Sequence, residues 1–213
     1  RLDFWKSAGP VLAMGIVILV SNELVQHPVQ GFAFGIDLSL VLTWGAFTYP
    51  VAFLITDTTN RLFGVGPARR VVAVGFAFGV GLTTIAALAI AADVSRSAQL
   101  SIWQALFSDP DAFAMLRTAV ASGSAFLTAQ LLDIKVFDVL RKSTWWKAPA
   151  ASSFLGSVVD TAIFFSLAFA GTGLPWITWG IGDFYAKLLM IALLLYPFRL
   201  LIRLYPRSLG VTT

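Results

Sequence analysis

The 213-residue sequence contains no cysteine and a single histidine, His27. Without cysteine it cannot be a small secreted scaffold stapled by disulfides. One histidine cannot supply the paired His and carboxylate ligands of a helical metal site. Charge is scarce too: 12% of residues are Asp, Glu, Lys or Arg, about half of the roughly 25% usual in soluble domains. Neither a long linker nor an internal repeat divides the chain. Apolar residues fill the gap, at 58% of the sequence with a mean hydropathy of +0.82. A soluble fold of this size would not stay in solution, so a cytosolic enzyme and a disordered chain are excluded and the class is integral membrane. The net charge of +4 and the pI near 9.7 then point to basic cytoplasmic loops rather than to nucleic acid. The chain opens on Arg1 and shows no signal peptide, which reads as a natural N-terminus trimmed here.

A membrane helix needs about 20 mostly apolar residues. Six runs qualify: 8–24, 38–56, 71–92, 112–132, 149–170 and 184–204. The fourth can continue as an amphipathic stretch to Arg141. The expected architecture is therefore all-α, a single domain over 1–213 with six transmembrane helices. Basic residues set its orientation. Arg1, Lys6, Arg61, Arg69, Arg70, Lys135, Arg141, Lys142, Lys147, Arg199, Arg203 and Arg207 fall on one side if both termini are cytoplasmic, against Arg96 and Arg117 on the other. That is a positive-inside pattern, and it requires an even number of spans. Trp5, Trp103, Trp145, Trp146, Trp176 and Trp179 fall near span ends, as an interfacial belt should. Trp44 lies within a span, where lipid contact, core packing and function are all open to it.

Ionisable residues inside a span are costly and point to function by default. Asp160 falls near the middle of the fifth span. Ser153, Ser157 and Asp160 lie three and four residues apart and share one helix face, and Ser152 and Gly156 let another helix approach. The alternative for Asp160 is a structural ion pair with Lys187, the basic residue deep in the sixth span; both can hold, since a pair can gate a site. Gln130 and Asp133 share a face of the fourth span, with a salt bridge from Asp133 to Lys135 or Arg61 as the plain alternative. Asp57, among Thr56, Thr58 and Asn60, is a site carboxylate or a cap paired with Arg69 or Arg70. Asn22 and Glu23 end the first span, and His27 reads as a loop residue.

Enzyme readings fail on inventory. No histidine lies in any span to activate a serine such as Ser124. Gly180-Ile-Gly-Asp183 matches the glycine-aspartate motif of intramembrane aspartyl proteases only superficially: the Tyr-Asp partner is missing, and Asp183 falls at the outer end of the sixth span. No phosphate-binding loop pattern occurs. What remains is a small bundle with scattered amides, hydroxyls and carboxylates. Those suit a specific pocket for a small polar molecule better than the charged rings of a channel.

Five blocks in order carry a resemblance over nearly the whole chain. They are Ser21-Asn-Glu-Leu-Val-Gln-His-Pro28; Thr43-Trp-Gly-Ala-Phe-Thr-Tyr-Pro50 running into Ile55-Thr-Asp-Thr-Thr-Asn-Arg-Leu-Phe-Gly64; Ala68-Arg-Arg70; Ala129-Gln-Leu-Leu-Asp-Ile-Lys-Val-Phe-Asp138; and Trp145-Trp-Lys-Ala-Pro-Ala-Ala-Ser-Ser-Phe-Leu-Gly-Ser-Val-Val-Asp-Thr161. The sequence resembles the queuosine precursor transporter family, also called the vitamin uptake transporter family. The resemblance implies a multi-pass importer in the bacterial inner membrane for 7-cyano-7-deazaguanine or 7-aminomethyl-7-deazaguanine, which feed queuosine synthesis in transfer RNA. It also implies a fold like that of the substrate-binding subunits of energy-coupling-factor vitamin transporters. Carried over by motif, the substrate-binding positions are Asn22, Trp44, Asp57, Gln130, Asp133, Ser153 and Asp160, with Lys187 joining through Asp160. No cofactor is implied.

The chemistry suits such a ligand. A 7-deazaguanine keeps guanine's ring N–H and exocyclic amine side by side, and one carboxylate can accept both. Asp160 is the first candidate for that role and Asp133 the second. Gln130 and Asn22 can serve the ring carbonyl, and Trp44, Phe47 or Phe164 can stack on the ring for about 1–3 kcal/mol. Adenine reverses the donor and acceptor order and is rejected. Two other readings stay open: a vitamin- or nucleobase-binding subunit of an ATP-driven transporter, docking through a Gly9-x-x-x-Ala13 surface, and a membrane scaffold in which Asp160–Lys187 is only structural. Gly75-x-x-x-Gly79 and Ser122-Gly-Ser124 offer small faces for contacts within the bundle or in a homodimer.

Overall fold

The structure, a computed structural model, describes residues 2–24, 27–33 and 35–204, without the side chains of 2–7, 19, 22 and 23. Eight helices run in chain order: α1 (Leu2–Leu24), α2 (Gly45–Thr48), α3 (Val51–Phe63), α4 (Val65–Ala98), α5 (Ile102–Ser108), α6 (Pro110–Leu140), α7 (Lys147–Phe169) and α8 (Trp176–Leu204). Helices α4, α6, α7 and α8 are long and apolar enough to cross a membrane, and α1 carries a shorter apolar stretch, Ala8–Ile18. The protein is thus an all-α, multi-pass membrane protein.

The helices are built inside out relative to a soluble bundle. Phe53, Thr56, Asp57 and Asn60 share one face of α3, and Ser152, Ser153, Gly156, Ser157 and Asp160 share one face of α7. All are buried, while Ile85, Phe154, Leu189 and Leu193 face outward. Contacts fix the helix directions. Met14 and Ile18 of α1 meet Gly75 and Gly79 of α4 in the same order, so α1 and α4 run parallel. Thr56 and Asn60 of α3 bond to Gln130 and Ile134 of α6 in the same order, so α3 and α6 also run parallel. Helix α7 opposes both, with Phe53 against Gly156 and Asp57 against Ser152. The small faces noted in the sequence are therefore used within the bundle: Gly75 on Met14, Gly79 on Ile18, and Gly123 on Val80.

The second apolar run differs most from expectation. The predicted helix 38–56 is replaced by a 3-10 turn at Leu38–Leu40, then α2 and α3. Tyr49 and Pro50 keep helical dihedrals between them, so a broken helix runs from Gly45 to Phe63. Pro50 has no N–H and interrupts the hydrogen-bond ladder. The apolar residues before Gly45 instead belong to a cap at one end of the bundle. There Phe32–Ala33 (β1) pairs antiparallel with Ile36–Asp37 (β2), and Pro28 bridges to Thr43. The carbonyl of Val41 sits directly on Gly182 of α8, leaving no space for a Cβ.

The remaining helix ends follow local chemistry. Gly64 turns the chain at φ 89°, a conformation open to glycine, and α4 then starts six residues before its predicted beginning at 71. Ser101 and Gln104 form a capping box at α5, a short helix the hydropathy pattern did not show. Asp109 caps α6 through the N–H groups of Asp111 and Ala112. Arg117 reaches across from α6 to the last carbonyls of α7, donating to Leu167 at 2.7 Å and Ala170 at 2.6 Å. Helix α8 starts at Trp176 rather than at 184, so Asp183 lies two turns inside it.

Candidate functional site

Two polar clusters occupy the interior. The first joins α3, α6 and α7. Asp57, 1% exposed, accepts hydrogen bonds from Ser152 Oγ at 3.1 Å and Ser153 Oγ at 3.2 Å, one on each carboxylate oxygen. Asp133, fully buried, stands on α6 between Gln130 and Ile134, which bond to Thr56 and Asn60 of α3, yet neither of its oxygens receives a well-formed hydrogen bond among the described residues. One turn before it, Gln130 accepts from Thr56 Oγ1 at 2.7 Å, which fixes its amide while leaving Nε2 without an acceptor. Ser157 Oγ is likewise buried without a partner among the described residues. Buried polar groups are normally satisfied, and each exception asks for an explanation.

Below this cluster the basic residues gather. Arg141 donates to the carbonyl and side-chain oxygen of Asn60 and pairs with Asp138 at 3.2 Å. Arg61 donates to the Arg141 carbonyl at 2.6 Å, and Arg199 stacks 4.7 Å from the Trp145 ring. Along α6, Asp133 is eight residues from Arg141 and sixteen from Arg117, about 12 Å and about 24 Å. The cluster is therefore off-centre, nearer the basic end.

The second cluster joins α7 and α8. Lys187, 3% exposed, bonds to Asp160 at 2.7 Å, Asp183 at 2.6 Å and Thr161 at 3.2 Å, using all three of its N–H bonds. Thr161 donates to Asp183 at 2.9 Å. The ammonium lies 5.9 Å from the centroid of the Tyr49 ring. Between α3, α7 and α8 a cleft of about 20 Å³, room for about one water, has Asp57 and Ser153 among its lining and Ile191, Leu194, Leu195 and Phe198 as apolar walls.

Residues 43–202 match the model of a family described as "Putative vitamin uptake transporter". The chain belongs to the vitamin uptake transporter family. It is 41% identical over 169 residues, 78% of this chain and 68% of the relative, to the "Queuosine precursor transporter" of Escherichia coli (strain K12). It is 35% identical over 195 residues, 85% and 79% of the two chains, to the "Probable queuosine precursor transporter" of Haemophilus influenzae. The corresponding Bacillus subtilis protein is 28% identical over 183 residues, 80% and 73% of the two chains. No solved structure matches the chain. This member of the vitamin uptake transporter family is a membrane transporter, not an enzyme.

Within the transporter, the structure sorts the residues singled out in the sequence. Asp57, Gln130, Asp133 and Ser153 converge in the first cluster, and Asp160 and Lys187 in the second. Asp57 is not paired with Arg69 or Arg70, and Asp133 forms no salt bridge with Lys135 or Arg61, among the described residues. The ion pair of Asp160 with Lys187 is formed. Trp44 joins neither cluster: it is 49% exposed, before α2, with a ring contact to Phe47. Asn22 is on α1, but its side chain lies outside the described residues. Asp183 was missed as a partner, although its four-residue spacing from Lys187 is a helical pair signal. Tyr49, Thr56 and Asn60 give no such signal, because their partners lie on other helices.

Proposed function

We propose that this transporter imports queuosine precursors, 7-cyano-7-deazaguanine and 7-aminomethyl-7-deazaguanine, across the bacterial inner membrane. The names of the relatives support the substrate class. The observation that carries the site is the buried, unsatisfied polar surface at Asp133 and Gln130 beside the Asp57 carboxylate. A base edge needs both acceptors and donors when it leaves water, or each unpaired group costs about 1–3 kcal/mol. Asp57 takes the ring N–H and exocyclic amine, with Ser152 and Ser153 holding the carboxylate, and Gln130 Nε2 serves the ring carbonyl. This places the base edge on α3 and α6 rather than on Asp160, whose carboxylate is engaged by Lys187. Asp160 and Lys187 close the path next to the site. Since the cleft holds about one water, admission of a base requires α8 to move away from α3 and α7.

The gathering of Arg61, Arg141 and Arg199 at one end supports six crossings with both termini cytoplasmic. The test is thermal stabilisation of the detergent-purified chain by 7-cyano-7-deazaguanine, with adenine as the non-binding control. Asp57→Asn is expected to lose the stabilisation and Asp160→Asn to retain it. A well-folded protein that no deazapurine stabilises would overturn the substrate assignment. Uptake by liposomes containing this chain alone is expected; a requirement for a separate ATP-driven module would favour the binding-subunit reading instead.

A further inference from the structure

The first cluster holds two buried carboxyl groups on facing helices. Asp57 of α3 and Asp133 of α6 both fall between the Thr56–Gln130 and Asn60–Ile134 bonds that join these helices, each at most 1% exposed. Ionised carboxylates only accept hydrogen bonds, so two of them buried close together repel, and one proton shared between the two removes that repulsion. Among the described residues the surroundings supply no alternative cation. From α3, Arg61 is turned to the Arg141 carbonyl. From α6, Arg141 is held by Asn60 and Asp138. From α7, Ser152 and Ser153 face the pair, and Asp160 is taken by Lys187. From α8, Lys187 is saturated by Asp160, Asp183 and Thr161, and the wall toward Asp57 is Ile191, Leu194, Leu195 and Phe198.

The two carboxyls are not equivalent. Asp57 receives one hydroxyl donor on each oxygen, which suits the charged form. Neither oxygen of Asp133 receives a well-formed hydrogen bond among the described residues, which suits the neutral acid. A second group, Gln130 Nε2, is also buried without an acceptor among the described residues and lies one turn from Asp133.

We propose that a proton on Asp133 is part of the substrate site, so that the pair binds the base only while it holds one proton. This rests on the deazaguanine reading above. A pair holding one proton presents an acceptor, the Asp57 carboxylate, beside a donor, the Asp133 hydroxyl. That order matches an edge of two adjacent N–H donors followed by a carbonyl. With Gln130 Nε2, the Asp133 hydroxyl fills both lone pairs of that carbonyl. Without the proton, Asp133 faces the carbonyl oxygen with a second negative charge; with two protons, the bidentate acceptor is lost. The affinity therefore has a maximum in pH, and on its alkaline side one proton is taken up for each base bound.

The experiment is calorimetric titration of the detergent-purified full chain with 7-cyano-7-deazaguanine, in buffers of different ionisation enthalpy, from about pH 5 to about pH 9. On the alkaline limb the wild type is expected to lose affinity by about tenfold per pH unit, with uptake approaching one proton. Asp133→Asn keeps a permanent N–H donor in place of the acid and is expected to show no proton uptake at any pH. Binding by the wild type without proton uptake would overturn the proton proposal and leave the substrate assignment standing. Uptake that persists in Asp133→Asn would place the proton elsewhere and also overturn it. Absence of binding by a folded wild type at every pH would instead remove the deazaguanine reading, and this inference with it. If Asp133→Asn does not fold, the wild-type proton count decides the question by itself.

Discussion

Lys187 is the residue on which most buried charge depends. It answers two carboxylates and a hydroxyl from two helices. Removing one partner of a buried pair costs about 3–5 kcal/mol, because the other charge is left uncompensated. Lys187→Met strands both Asp160 and Asp183, whereas Asp160→Asn leaves Asp183 in place for the ammonium. The first variant is expected to melt well below the second in detergent. Equal melting temperatures would mean that the two bonds do not share the load. This pair was legible in the sequence, because a lone lysine deep in one apolar span and a lone aspartate deep in the neighbouring one leave few alternatives. The first cluster was less so. Asp57 looked like the end of a helix because Thr58, Thr59, Asn60 and Arg61 follow it. Those residues are helical because partners on α6 take up Asn60 and Arg61, and a single sequence does not show which helix will face them.

At the scale of the element, α7 is the helix whose position the site requires most. Gly156 lets it approach α3 so closely that an added Cβ would lie 2.7 Å from the Phe53 ring. Overpacking of this kind costs about 1–3 kcal/mol. Gly156→Val is therefore expected to lengthen the Ser152 and Ser153 bonds to Asp57 and to weaken ligand-induced stabilisation more than it lowers the melting temperature of the empty protein. At its other end α7 is fastened by Arg117. Arg117→Met leaves the carbonyls of Leu167 and Ala170 without that donor, and faster amide exchange is expected in the last turn of α7 and in the turn that follows, with little change at Asp160. The long helices were readable from hydropathy because each fills a span. The broken segment was not, because an average over apolar residues cannot distinguish a cap resting on α8 from the first turns of a helix. Gly180 and Gly182 misled in the same way: they resemble a loop in sequence, but they lie inside α8 and let Phe165 and Val41 pack against it.

For the whole molecule, the absence of cysteine makes topology directly measurable. Ser101→Cys, at the start of α5, is expected to react with a membrane-impermeant maleimide added outside intact cells. Lys142→Cys, after α6, is expected to react only once the membrane is opened. The opposite pattern would invert the proposed orientation. The off-centre cluster then has an electrical consequence. With Asp133 about 12 Å from Arg141 and about 24 Å from Arg117 along α6, roughly two thirds of the voltage drop would lie between the outer face and the site in the proposed orientation, with the two arginines at the membrane faces. A cation reaching Asp133 from outside crosses that part of the field, worth about 1.5 kcal/mol per 100 mV, whereas one arriving from the cytoplasm crosses about half as much. The same carboxyl would thus be a steep voltmeter from one side of the membrane and a shallow one from the other.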